Sequence, residues 1–195
     1  MHKNSMIHLT GGFRKQTKWR KKNKEHTCQS TLVWIRGSAK WDKDQTLNKK
    51  RGYHGSCYID NTIYVFAGFC LEDTPGHLKS IEYKPLGKNW QLIDDLEMSE
   101  RLHPAVTAIT RTQIVIMGGE SSTGELLSDI LILDTNTLSI SQAIADSGIN
   151  FKCESQTIAV EYGCALSFVT VEEYDFQQDD SFSSLSGVAD LKPSL

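Results

Sequence analysis

Three short phrases recur along this chain: "IHLTGG" (residues 7–12), "IYVFAG" (63–68) and "IVIMGG" (114–119). Each places four residues with strand character before a pair of small ones. The final glycines, Gly12, Gly68 and Gly119, stand 56 and 51 residues apart. A period of this length constrains the fold strongly, because a unit so small buries its apolar face only against its neighbours. Paired glycines ending a strand admit backbone angles closed to other residues and let a second backbone come near. Only the middle phrase departs, with Ala67 before Gly68.

A second marker follows each pair: a strand ending in a large residue, with another large residue seven positions on. Trp34 and Trp41, Tyr83 and Trp90, and Leu133 and Ile140 fill these places. Turn chemistry separates them, Pro85 with Gly87 in one unit and Asp134 with Asn136 in another. Next comes a basic residue closely followed by histidine, as Arg51 with His54 and Arg101 with His103; the third expected place holds "FKC" from Phe151, and the signature lapses. The middle unit then divides into four short strands, "GSCYI", "IYVF", "KSIEY" and "WQLI", and the following one into "AVTAI", "IVIM", "DILIL" and "LSIS". Alternation and β-branched content favour strands, and no window supports an amphipathic helix.

These units resemble kelch repeats, whose pattern is four apolar residues, a double glycine, then a Tyr and a Trp about six residues apart. The resemblance implies an all-β fold, a kelch-type β-propeller of about three to four blades, each a four-stranded antiparallel sheet that hides its edges by radial repetition. Expected divisions are a partial first blade over 1–50, kelch repeats over 51–100 and 101–150, a degenerate fourth blade over 151–180, and a flexible acidic and serine-rich tail over 181–195. The first unit begins too near the N-terminus to have an innermost strand. Fewer units than a usual kelch ring contains leave three expectations open: an open ring, a fragment, or a chain completed by a partner. Gly11, Gly12, Ala67, Gly68, Gly118, Gly119, Trp34, Trp41, Tyr83 and Trp90 are expected to build the scaffold, the aromatic residues supplying area between blades.

The net charge of -3 conceals an asymmetry. Residues 1–51 carry fourteen Lys or Arg against three Asp or Glu, and the rest of the chain seven against twenty-one. The basic excess concentrates in "FRKQTKWRKKNKEH" (13–26), read as an insertion in a blade loop. Arg14, Lys15, Lys18, Trp19, Arg20, Lys21, Lys22 and Lys24 are therefore candidate contacts to an acidic protein, with a solvated loop as the plainer reading. No nucleic-acid-binding fold accompanies the run, which argues against a nucleic acid partner. Arg51, His54, Arg101 and His103 are a second candidate contact set lining one face, or else strand caps that hold neighbouring backbone.

No stretch approaches the roughly 18 apolar residues of a membrane span, and no export signal opens the chain. A cytoplasmic protein is expected, with nuclear import through residues 14–24 as the alternative. Five scattered cysteines without a CxxC indicate neither a disulfide framework nor a zinc site. No nucleophile elbow, HExxH, P-loop or dinucleotide fingerprint occurs. The expectation is a non-enzymatic protein-interaction module without cofactor or metal, using the loops at 13–26 and 69–80. Its alternatives are a metal-dependent oxidoreductase or sugar-active propeller enzyme, and a subunit completed by self-association or by a second chain.

Overall fold

The computed structural model describes residues 6–16, 24–72 and 75–145. Among these the chain is all β, and no helix is long and apolar enough to cross a membrane. The first unit supplies β1 (Met6–Thr10), β2 (Phe13–Gln16), β3 (Lys24–Thr27), β4 (Thr31–Ile35) and β5 (Asp42–Lys43). The second supplies β6 (Gly55–Ile59), β7 (Thr62–Phe66), β8 (Phe69–Cys70), β9 (Gly76–His77), β10 (Ile81–Pro85) and β11 (Gln91–Ile93). The third supplies β12 (Ala105–Ala108), β13 (Gln113–Met117), β14 (Ile130–Asp134) and β15 (Ser139–Ile144).

Two four-stranded antiparallel sheets result, ordered β6-β7-β10-β11 and β12-β13-β14-β15, preceded by a three-stranded sheet ordered β1-β4-β5. The phrases around Ile63 and Ile114 thus lie in separate sheets at the same position in each. Between β6 and β7 the turn uses Asp60 and Asn61 at φ 43° and 58°, the left-handed conformation that suits a two-residue hairpin. The ends of the basic run are not loop, as the sequence suggested, but pair as the hairpin β2–β3, with Arg14 opposite His26. The expected fourth unit (151–180) and tail (181–195) lie outside the described residues.

Period-2 alternation gives the middle sheet two faces. Ile63 and Val65 point toward the first unit and pack with Trp90 and with Leu47 of the connecting segment. Tyr64, Phe66 and Ile81 point the other way and join Val106, Ile114, Ile116, Leu131 and Leu133 of the third sheet in the main core. Gly55 permits that approach, since a Cβ there would stand 2.4 Å from Val106 Cγ2.

The small-residue pairs repeat in backbone as well as in sequence. Gly11, Ala67 and Gly118 have φ of 58°, 58° and 56°, and Gly12, Gly68 and Gly119 have 90°, 97° and 102°. Glycine adopts these angles without steric cost, and Ala67 carries the strain of a Cβ in the left-handed region.

Each pair is fastened by arginine. Arg51 Nη1 donates to the carbonyls of Ala67 (2.9 Å) and Ser80 (3.1 Å), and Nη2 to Ser80 Oγ (3.2 Å) and Glu82 Oε1 (2.7 Å). Arg101 Nη1 donates to the Gly118 carbonyl (3.1 Å) and Asp129 Oδ1 (2.9 Å), and Nη2 to Asp129 Oδ2 (2.9 Å) and Ser99 Oγ (2.6 Å). Their own carbonyls accept from the preceding pair, Gly12 N–H to Arg51 O (2.8 Å) and Gly68 N–H to Arg101 O (3.0 Å). One residue type therefore holds its own unit by side chain and the unit before by main chain.

Strand register corrects part of the sequence alignment. Tyr83 pairs with Tyr64, and the matching partners are Val33 with His8 and Ile132 with Val115. Trp34 and Leu133 therefore correspond to Lys84, one residue beyond Tyr83, whereas Trp41 and Ile140 do correspond to Trp90. The seven-residue spacing recurred in sequence because a large residue, Trp34 or Leu133, directly follows the true position in the first and third units, where the turn to the next strand is one residue longer. Trp34 turns its indole N–H to the Ser38 carbonyl (3.0 Å), a contact inside its own unit.

Candidate functional site

The four residues proposed as one contact face separate in the structure. Arg51 and Arg101 are 0% exposed and bond through their terminal guanidinium nitrogens inside the fold, so neither guanidinium is available to a partner. His54 does not match His103: Tyr53 and His103, each two residues after its arginine, share the left-handed backbone (φ 54° and 51°), and His54 matches Pro104. Nε2 of His54 lies 3.1 Å from Thr10 Oγ1, while Nδ1 is buried without a hydrogen-bond partner. Burial first, and then the charge of Arg51, pushes the imidazole down to about 4, although the Thr10 interaction works the other way. His54 is thus a neutral packing residue near neutral pH.

Sequence reading missed what this backbone repeat presents outward. The Tyr53 ring sits 4.5 Å, centroid to centroid, from Phe13 and 4.4 Å from the His103 ring. The three rings form a ladder across three successive units, with Tyr53 49% exposed at its centre. Two contacts fix it. Gly52 leaves room for Phe13, whose Cε2 would lie 2.1 Å from any Cβ there, and the His103 N–H donates to the Tyr53 carbonyl (2.9 Å). The available signal was positional: Phe13 directly follows its glycine pair, and Tyr53 and His103 share one offset from a repeated arginine.

Short hairpins flank the ladder. β2–β3 begins at Phe13 itself, with Arg14 exposed. Lys15 lies on β2 and Lys24 on β3; Lys18, Trp19, Arg20, Lys21 and Lys22 fall outside the described residues. β8–β9 follows the second pair, where Phe69 meets His77 edge-on at 5.4 Å. Glu120 makes bridges to Leu102 and Leu126 after the third pair.

Glu72 ties the basic hairpin to its neighbour. Its carboxylate accepts from the Thr27 N–H (3.0 Å) and the Thr27 hydroxyl, and its Oε1 lies 3.1 Å from His26 Nδ1. Desolvation alone would raise its pKa, but the Thr27 bonds, and after them the His26 bond, hold it below the usual carboxylate value. The hairpin base is therefore anchored at a fixed place beside the ring ladder.

Among the described residues no group of three or more His, Cys, Asp or Glu is placed to hold a metal ion. No family model matches the chain, and no curated protein is significantly similar to it. What the surface offers is aromatic area, basic charge and preset loops.

Proposed function

We propose that this chain is a non-enzymatic protein-interaction module, built as an open kelch-type propeller, whose ring ladder and adjoining basic hairpin bind another protein. The observation that carries this reading is the Phe13–Tyr53–His103 ladder across three consecutive units, with Phe13 and Tyr53 exposed. Exposed aromatic side chains held in place at low entropic cost are typical anchors of protein interfaces. The positive hairpin favours a partner with acidic side chains opposite it. The repeated small-residue pairs, the arginine latches and the meander sheets support the kelch-type assignment. A photo-crosslinking residue at Tyr53 should capture one identifiable protein in cells, and one at Leu92 on β11 should not. Equal capture from both positions would reject the ladder as the contact surface.

A second reading, that a further sheet completes the assembly, is favoured by the outer face of the first sheet. Ile7, Leu9 and Trp41 are 54%, 51% and 45% exposed, whereas their counterparts Ile63, Val65 and Trp90 are 6%, 0% and 6% exposed beneath the preceding unit. The Trp90 indole N–H even reaches back to the Gln45 carbonyl (3.0 Å). Sedimentation equilibrium of the protein and of a Leu9→Lys variant tests this. An assembly reduced to monomer by the substitution supports it, and a monomer in both cases rejects self-completion.

A further inference from the structure

Among the described residues the first sheet has one strand fewer than the other two. β7 and β13 each have an inner partner, β6 and β12, but β1, which holds their position, pairs with β4 alone among the described residues. Between this sheet and the next lies a cleft of about 690 Å³, whose lining includes Met6, His8 and Thr10 of β1, Ile35 of β4, and Ser56 and Tyr58 of β6. Both ring nitrogens of His8 are buried there without a hydrogen-bond partner; the nearest counter-charge, Asp44 Oδ2, is 3.9 Å from Nδ1. Gly12 tells the same story. A Cβ on Gly68 or Gly119 would stand 2.5 Å from the carbonyl of Gly52 or Leu102 at the entrance to the inner strand, yet one on Gly12 would meet nothing within 4 Å.

We propose that this cleft receives an extended strand from another protein, which pairs with the free edge of β1 and completes the sheet. The chain displays the bound form of such a strand twice. On β7 and β13 the same edge is taken by β6 and β12 in antiparallel register, and β6 turns Cys57 and Ile59 into the core shared with the next sheet. The equivalent side chains of an incoming strand would enter the cleft. Its chemistry follows from those templates, Gly55, Cys57 and Ile59 in one and Ala105, Thr107 and Ile109 in the other: small, small, then β-branched at alternate positions. Edge addition of this kind draws affinity from main-chain bonds and specificity from pockets for alternate side chains. It uses a site separate from the ring ladder and does not depend on the ladder's role.

The probe is a fluorescein-labelled synthetic peptide with the sequence PAVTAIT, copied from residues 104–110, titrated into the full chain and followed by anisotropy. Saturable binding is expected, with no binding of a scrambled peptide. N-methylation of one alternating set of peptide amides should abolish binding and of the other set should spare it, because only one set faces β1. Ser56→Trp, which fills the cleft, should weaken binding by roughly tenfold or more. Met6→Glu at the cleft mouth serves the same purpose should the first variant fold poorly. Absence of saturable binding up to about 1 mM peptide, or equal binding of both methylated peptides, would overturn the proposal.

Discussion

Replacing Arg51 with Met should destabilise the fold by about 3–5 kcal/mol, the range for removing one member of a buried ion pair. The magnitude follows from what is left behind. Glu82 is itself 0% exposed, and its carboxylate would keep only the Asn48 N–H (2.5 Å), the Asn48 side-chain amide (3.0 Å) and the Lys49 N–H (3.0 Å). Those bonds are neutral and do not balance a desolvated charge, and the Ala67 carbonyl loses its donor as well, while the Ser80 carbonyl keeps the Ala67 N–H (3.0 Å). Arg101→Met should cost less, about 2–3 kcal/mol, because the Asp129 side chain is 16% exposed and water can reach it. Adding Glu82→Gln to Arg51→Met should restore at least about 1 kcal/mol by removing the orphaned charge. Urea unfolding followed by tryptophan fluorescence measures all three, with slopes compared to confirm one transition. A cost below about 1 kcal/mol for Arg51→Met, or no recovery in the double variant, would refute the latch as described.

Gly119→Ala and Gly12→Ala impose similar backbone strain at φ 102° and 90°, but only the former drives a Cβ against a carbonyl at 2.5 Å. Thermal or urea unfolding should therefore show the Gly119 variant weaker by at least about 1 kcal/mol more; equal losses would remove the crowding argument. His54, pushed down to about 4, binds protons less readily than in the unfolded chain, whose value is about 6.5. Its contribution is fully present above that unfolded value and is lost as pH falls toward 4, with a slope of up to about 1.4 kcal/mol per pH unit. His8, lowered first by burial and also by Lys84 against the pull of Asp44, adds loss of the same sign. Stability measured across this window should flatten in His54→Gln, and an unchanged profile would contradict the assignment. Burial pushes the Cys57 thiol up to about 12, so mass-mapped labelling at pH 8 should modify Cys28 well before Cys57.

Strands and small-residue pairs were legible because both are local: alternation marks the strand, and a positive φ favours glycine. The predicted "GSCYI" coincides with β6, and the other predicted strands of the second and third units differ at their ends. Register was not legible, since choosing among Val33, Trp34, Ile132 and Leu133 requires knowing which residue faces its partner across the ladder. Of the two readings of Arg51 and Arg101, the one in which they hold neighbouring backbone matches their bonds to the Ala67, Ser80 and Gly118 carbonyls, but their complete burial was not legible. Their burial depends on Glu82 and Asp129, acidic groups brought from 31 and 28 residues away by the third strand of each unit. The ring ladder escaped notice for a related reason: Phe13, Tyr53 and His103 belong to three different units, and only the stacking of those units brings them together.

The central claim, that successive sheets stack face to face and do not merge edge to edge, is tested most directly by nuclear Overhauser effects in isotopically labelled protein. The account predicts a strong contact between the Gly55 α-protons and the Val106 γ2 methyl, with no α-proton contacts between residues 62–66 and 113–117. Cross-strand contacts between those two segments would place β7 and β13 in one sheet and contradict it.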